Sequence, residues 1–206
     1  MIKAKENRYF ENTFLRMNFQ FNLQNLFYNA FLIFLVTGIL LTDLTGQQLL
    51  KTSKASIIFN SDAPLEFIEA RSDNCQGILN IESGEFAFRV FIKTFDGFNN
   101  PLQKVHFYEN YMEVSQFPEA TFQGVIIEDL NILSEGEVTL RAKGILTIHG
   151  QRLERIINVA INFNKDKLDF QSQFEVQLSD YNIDIPNIVK QKISETIEVT
   201  VAGTLE

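Results

Sequence analysis

The sequence has no tryptophan, a single cysteine, two histidines and four prolines in 206 residues. One thiol, Cys75, cannot form an internal disulfide, so stability must come from packing. Cys75 reads as a small apolar filler, since a nucleophile would need a histidine beside it. His106 and His149, far apart and without neighbouring cysteines or paired carboxylates, make a poor metal set. Basic charge is also scarce: 18 Lys+Arg against 26 Asp+Glu, a formal net charge of −8. Phosphate backbones require a basic footprint, so nucleic acid is excluded as a partner class. No glycine-rich phosphate loop, nucleophile elbow, Ser-His-Asp set or zinc signature is present. What the chain has in excess is phenylalanine, 20 in all. A phenyl ring has no polar end, so these rings belong in a core, a cavity or a membrane.

The N-terminal part reads differently from the rest. The run AFLIFLVTGILL (30–41) is uncharged and apolar, with Lys3, Lys5, Arg8 and Arg16 upstream and Gly46 beyond it. This is the order of a secretory signal, and the run is shorter than the roughly 20 apolar residues of a membrane-spanning helix. Residues 1–46 are therefore expected to be a signal peptide, with an uncleaved anchor as the alternative. Residues 47–206 are expected to form one domain, starting at Gln47.

That domain alternates. In GEVTLRAKGILTIHG (136–150), Val138, Leu140, Ala142, Leu146 and Ile148 share one face, and Glu137, Thr139, Arg141, Lys143 and Thr147 the other. Period two with one dry and one wet face is a half-buried strand. The same pattern recurs at 53–60 (Ala55, Ile57, Phe59), 75–82, 85–95 (Phe86, Phe88, Val90, Ile92) and 117–132. It continues at 155–163 (Ile157, Val159, Ile161, Phe163), 168–179 (Phe170, Ser172, Phe174, Val176, Leu178) and 196–203 (Ile197, Val199, Val201). Ser83-Gly84 is a tight hairpin turn and 165–167 a polar one. Two helical pieces interrupt the strands. SDAPLEFIEARSD (61–73) offers Asp62 as N-cap, Pro64 in the first turn and Leu65 and Ile68 at helical spacing. PLQKVHFYENYME (101–113) starts on Pro101 and spaces Val105, Tyr108 and Met112 for a helix across one end of the sheet. Glu66, Glu69, Glu109 and Glu113 fall on the solvated faces of these pieces. Another turn is expected near 187–191. Eight such strands make an antiparallel sandwich or barrel, and eight is the count at which a closed barrel holds its own side chains or one slim ligand.

The segments SDAPLEFIEA (61–70), HFYENYMEVSQFPEATF (106–122), LTIHG (146–150) and LSDYNIDIP (178–186) occur in an order and spacing that resembles the YceI-like family. These are lipocalin-like bacterial proteins that bind polyisoprenoids, and the resemblance spans roughly 51–201. It departs at one place: many members carry an Arg-Asp pair just ahead of the residue matching His106, where this chain has Gln103 and Lys104. The resemblance implies an all-β fold, an eight-stranded antiparallel lipocalin-like barrel with one or two short helices at its ends. It also implies a periplasmic or secreted protein that holds a long isoprenoid or similar amphiphilic lipid for transport or storage. No catalysis, no metal and no cofactor is implied, apart from a bound isoprenoid or quinone-type ligand. Transient membrane contact and a homodimer are compatible with this reading.

Alternation alone fits both a barrel filled by its own side chains and a hollow one; the resemblance favours the hollow one. Its lining would be Phe59, Phe86, Phe88, Val90, Phe122, Leu140, Leu146, Val159, Ile161, Phe174, Val176 and Val199. A polar ligand head would meet His106, Tyr108 or Tyr111 near the second helical piece. His149, in the LTIHG turn, is expected to tie down a loop carbonyl. Three alternatives stand beside this reading. An outer-membrane barrel would turn its apolar face outward. A cavity isomerase or cyclase would need an ionisable group deep in the lumen. An interaction module would have an incidental cavity.

Overall fold

A computed structural model describes residues 49–130, 136–164 and 167–206. The 1–46 segment read as signal or anchor lies outside the described residues, as do 131–135 and most of the 165–167 turn.

Eight strands follow one another in chain order: β1 Leu49–Ala63, β2 Glu66–Asn80, β3 Glu85–Phe91 and β4 Glu119–Ile126. The second half supplies β5 Gly136–Ile148, β6 Gln151–Asn164, β7 Lys167–Gln177 and β8 Thr196–Leu205. Each pairs antiparallel with the next, and β1 closes on β8 from Ser56↔Ala202 to Asn60↔Glu198. The sandwich option is thereby ruled out, and the barrel has no free sheet edge among these strands. The longest strands have 13 to 15 residues, so at about 3.3 Å per residue and about 40° of tilt the barrel is roughly 30–40 Å deep.

The alternation works as the sequence indicates. On β7 Leu168, Phe170 and Val176 are buried, while Lys167, Asp169, Gln171, Gln173 and Glu175 face solvent. In the first hairpin a register irregularity between Thr52 and Ile57 on β1 changes which parity faces inward, as bulged strands do. Leu50 therefore lines up inside with Ala55, Ile57 and Phe59.

The helix expected at 61–73 does not form. Pro64 and Leu65 make the two-residue turn of the β1–β2 hairpin, with Ala63 opposite Glu66 and Ile57 opposite Ser72. Asp62 and Pro64 suit a turn as well as a helix start. Past the turn, Ile68, Ala70 and Ser72 are buried while Phe67, Glu69 and Arg71 are exposed, which is period two. Fifteen-residue partners on each side settle the competition in favour of the strand.

The second helical piece does form. Helix α1 spans Pro101–His106, with Asn100 as N-cap accepting from the Gln103 N–H at 2.9 Å. It then widens into a π-helical turn over Phe107–Tyr111. That widening rotates the inward face: Val105, expected inside, is 42% exposed, whereas Phe107 and Tyr111 turn toward the barrel. Gln103 and Lys104, where the family resemblance departs, have partners here. Gln103 Nε2 donates to Glu66 Oε1 at 3.0 Å, and Lys104 Nζ lies 3.0 Å from Asp96 Oδ1. Both contacts fasten α1 to the β1–β2 hairpin tip and its own leading loop. A 3-10 turn at Asn187–Val189 occupies the site where a turn was expected.

β4 and β5 approach closely at Gly124 and Gly144, which face each other in register. A Cβ on Gly124 would lie 2.0 Å from the Lys143 carbonyl oxygen and 2.4 Å from the Gly144 Cα. Only a residue without a side chain fits between two backbones at that distance. Gly124→Ala is expected to destabilise the fold by about 3 kcal/mol, read as a lowered midpoint in urea unfolding with the slope unchanged.

Candidate functional site

The interior of the barrel is a cavity of about 510 Å³, within the roughly 300–1,000 Å³ usual for small-molecule sites. Every lining residue read from alternation is on its wall. Phe59 comes from β1; Phe86, Phe88 and Val90 from β3; Phe122 from β4; Leu140 and Leu146 from β5. Val159 and Ile161 come from β6, Phe174 and Val176 from β7, and Val199 from β8. The wall is therefore aliphatic and aromatic over most of its height.

The two ends differ. At the end holding the β2–β3 turn and both barrel termini, Leu79, Leu140, Leu168 and Leu205 are 2–5% exposed and form a leucine floor, with Leu130 beside them. Asn80 caps the adjoining turn, its Oδ1 accepting from the Glu82 and Ser83 N–H groups. The opposite end is the mouth. It is built from the β1–β2 tip, the 92–118 connection and the 178–195 connection, and its lining includes Glu66, Asn100, Leu102, Gln103, His106, Val189 and Lys192. Rim residues there are exposed: Leu102 at 63%, Leu65 at 65% and Ile188 at 91%. Hydrogen bonds knit the rim, from Leu65 N–H to the Gln191 carbonyl and from Ser194 N–H to Ser61 Oγ.

Of the three head-group candidates, His106 and Tyr111 line the mouth and Tyr108 does not. The Tyr108 hydroxyl donates instead to the Phe95 carbonyl at 2.6 Å, and its ring packs on Phe98 and Phe107. Its polar end is committed to the backbone before any ligand arrives. Sequence reasoning missed Phe95, Phe98 and Phe107. With Phe59 they form an aromatic wall below the mouth, Phe59 and Phe107 stacked at 5.1 Å between ring centroids. Phe95 ends the run read as a strand over 85–95, where its parity is that of Arg89 and Lys93; β3 stops at Phe91, and the 3-10 turn over Ile92–Thr94 re-aims Phe95 inward, while Phe98 sits in a connection without alternation.

Ionisable groups on the wall concentrate at the mouth. Deeper in, Cys75 lines the lumen, and burial pushes its thiol up to about 12. It stays neutral and poorly nucleophilic. Because the folded value lies above the ordinary 9.0, the stabilisation from keeping this thiol protonated is complete below pH 9 and fades as the pH rises toward 12.

His149 joins the mouth segments. Its Nδ1 is 3.0 Å from the Tyr181 carbonyl and its Nε2 3.0 Å from Glu113 Oε2, with the Phe117 ring edge-on at 4.6 Å. His149 and Glu113 both have positive φ, 49° and 42°, a conformation that such side chains adopt only when their surroundings hold them there. The residue ties the 92–118 connection to the 178–195 connection, the structural role its turn suggested.

The sequence model of the YceI-like domain matches residues 48–205. None of the curated proteins matches the chain by sequence. Among solved structures, a polyisoprenoid binding domain from Saccharophagus degradans, implicated in plant cell wall breakdown, aligns with a TM-score of 0.66 at 14% identity. That alignment covers 78% of this chain and 98% of that one. BcnA of Burkholderia cenocepacia aligns at 0.62 and 13% identity, over 74% and 96% of the two chains. The YCEI protein of Campylobacter jejuni aligns at 0.54 and 16% identity, over 68% and 85%. At these identities the likeness is one of fold.

Two outcomes are expected. In the folded protein Cys75 stays unmodified by excess iodoacetamide at mildly alkaline pH and reacts fully once urea unfolds the chain, as peptide mass spectrometry would read. His149→Ala, which strands the buried Tyr181 carbonyl while the exposed Glu113 carboxylate turns to water, is expected to lower the unfolding free energy by about 1–2 kcal/mol in chemical denaturation.

Proposed function

The chain belongs to the YceI-like domain family, and from that premise we propose that it is a periplasmic or secreted carrier that holds a long isoprenoid, or a similar amphiphilic lipid, in the barrel lumen. The observation that carries this reading is the enclosed apolar cavity of about 510 Å³, closed by leucines at one end and open at the other. An isoprenoid tail has no hydrogen-bonding groups. Its transfer from water is favoured by about 25 cal/mol per Å² of surface removed, and it asks of a site only depth and dryness. The mouth supplies what a polar head needs: His106, Tyr111, Gln103 and Lys192 stand where the head of a lipid with its tail inside would lie. Exchange takes place through the same end, where exposed Leu65, Leu102 and Ile188 suit transient contact with a membrane. The acidic exterior keeps the loaded protein soluble.

The rival readings find less support. A membrane barrel presents apolar side chains outward around a polar lumen, whereas β7 points lysine, aspartate and glutamine outward and phenylalanine inward. A cavity enzyme needs an ionisable group at depth, and the deep wall offers a thiol held protonated.

The test is organic extraction of protein purified from its own compartment without detergent, followed by mass spectrometry of the extract. A long-chain lipid near one per protein is expected. Val199→Trp, placed in the upper tunnel beside Phe59 and Phe174, is expected to reduce that occupancy about tenfold or more while circular dichroism stays that of a β-barrel. Wild-type protein recovered free of lipid, in repeated preparations, would overturn the proposal.

A further inference from the structure

Phe88 and Phe170 meet across the lumen. Their ring centroids are 5.3 Å apart in an edge-to-face arrangement. The strands that carry them, β3 and β7, are not neighbours: in the closed order each is four strands from the other in either direction. They stand on opposite walls, and the two rings form a bar across the channel, with the cavity lining continuing below them to Leu79 and Leu205. Both lie three residues in from the floor end of their strands, which begin at Glu85 and Lys167.

Each ring is backed by a glycine on the adjoining strand. A Cβ on Gly77 of β2 would sit 2.1 Å from the Phe88 ring, and one on Gly203 of β8 would sit 3.2 Å from the Phe170 ring and 2.6 Å from Ala55. Gly77 is directly opposite Phe88 in the β2–β3 ladder, and Gly203 opposite Phe170 in the β7–β8 ladder. The glycines let each ring lie flat along the wall at its root, so that the tips just touch. Larger residues there would drive the rings further into the channel. Phe86 braces the pair from below, 6.2 Å from Phe88 and 5.0 Å from Phe122.

We propose that the Phe88–Phe170 pair is a length gauge: it stops the tail of the bound chain above the leucine floor and so selects isoprenoids up to a fixed number of units. This rests on the reading of the lumen as an isoprenoid site and adds the feature that sets which chains fit. Each unit added to a short ligand buries more apolar surface and tightens binding. Once the tail end reaches the rings, a further unit must stay in water at the mouth or push the rings apart, and affinity stops rising. Aromatic pairs contribute beyond their buried area, and this one is held by glycine-backed walls, so pushing it apart is unfavourable.

The experiment uses defined all-trans prenols of increasing length, from farnesol through geranylgeraniol to the long polyprenols, titrated into delipidated protein. For the wild type, affinity is expected to rise several-fold with each added unit and then level off. In Phe170→Ala, which removes half of the bar, the levelling point is expected to move to chains longer by at least one unit. In Gly77→Ala, which pushes the Phe88 ring inward, it is expected to move to shorter chains. The two variants shift in opposite directions, so a general loosening of the barrel cannot imitate the pair of results. Thermal melts by circular dichroism confirm that each is folded. If Phe170→Ala does not fold, Phe170→Leu and Gly77→Ala carry the same contrast. Prenol binding with an unchanged levelling point, or with none, would overturn the gauge and leave the carrier intact. Failure of wild-type protein to bind any prenol would overturn the carrier reading and the gauge with it.

Discussion

Closure of the β1–β8 seam is the constraint on which the rest depends. The ladder from Ser56↔Ala202 to Asn60↔Glu198 turns a strip of seven hairpin-related pairings into a ring. Once the ring is shut, the width of the interior follows from strand number and stagger rather than from what the side chains would prefer. An open sheet with the same phenylalanines would fold them flat against a second layer and leave no hole. In the ring, side chains from eight walls converge on one axis. They either meet, as Phe88 and Phe170 do, or leave volume between them.

The volume is kept by the distribution of size along the wall. Small residues gather in the middle and lower part: Ala55, Gly77, Gly124, Ala142, Gly144 and Gly203. Phe59, Phe95, Phe98 and Phe107 stand above them near the mouth, while Phe88 and Phe170 lie level with Gly77 and Gly203, whose missing side chains give those rings room against the wall. The same glycines that permit close backbone approach also leave space at the axis. Emptying a cavity of this kind costs dispersion contacts along its lining, a loss that a hydrocarbon guest restores. The mouth is rigid by different means. Polar links do the work there: His149 to Tyr181 and Glu113, Glu66 to Gln103 and Asn99, Tyr108 to Phe95. The apolar wall and the polar rim are thus chemically distinct parts of one barrel.

Much of this was legible in the sequence because alternation is a strict code. A residue two along a strand shares its neighbour's face, so Leu140, Leu146, Val159, Ile161, Phe174 and Val176 could be placed on the inner wall one strand at a time. The family resemblance turned a sandwich-or-barrel choice into a barrel. The code fails where another local reading competes. Asp62 and Pro64 with Leu65 and Ile68 fit the start of a helix, and the long partners of β1 and β2 decided otherwise. It also fails where the backbone changes period. The π-helical turn at Phe107–Tyr111 moved Phe107 inward and left Val105 exposed, and no spacing rule for regular helices contains that shift. The Phe88–Phe170 contact was beyond reach for a third reason. Knowing that both point inward does not say that they face each other; that takes the closed strand order, which is a property of the whole ring.

The central claim is that the lumen exists to hold an oily chain. Its most direct test is an experimental electron-density map of protein taken from its own compartment and never exposed to detergent. A continuous tube of density is expected, entering beside His106 and Tyr111, running past Phe59 and Val199, and ending on the rings of Phe88 and Phe170. A lumen filled by inward-rotated side chains, or one holding a chain of ordered water, would contradict it.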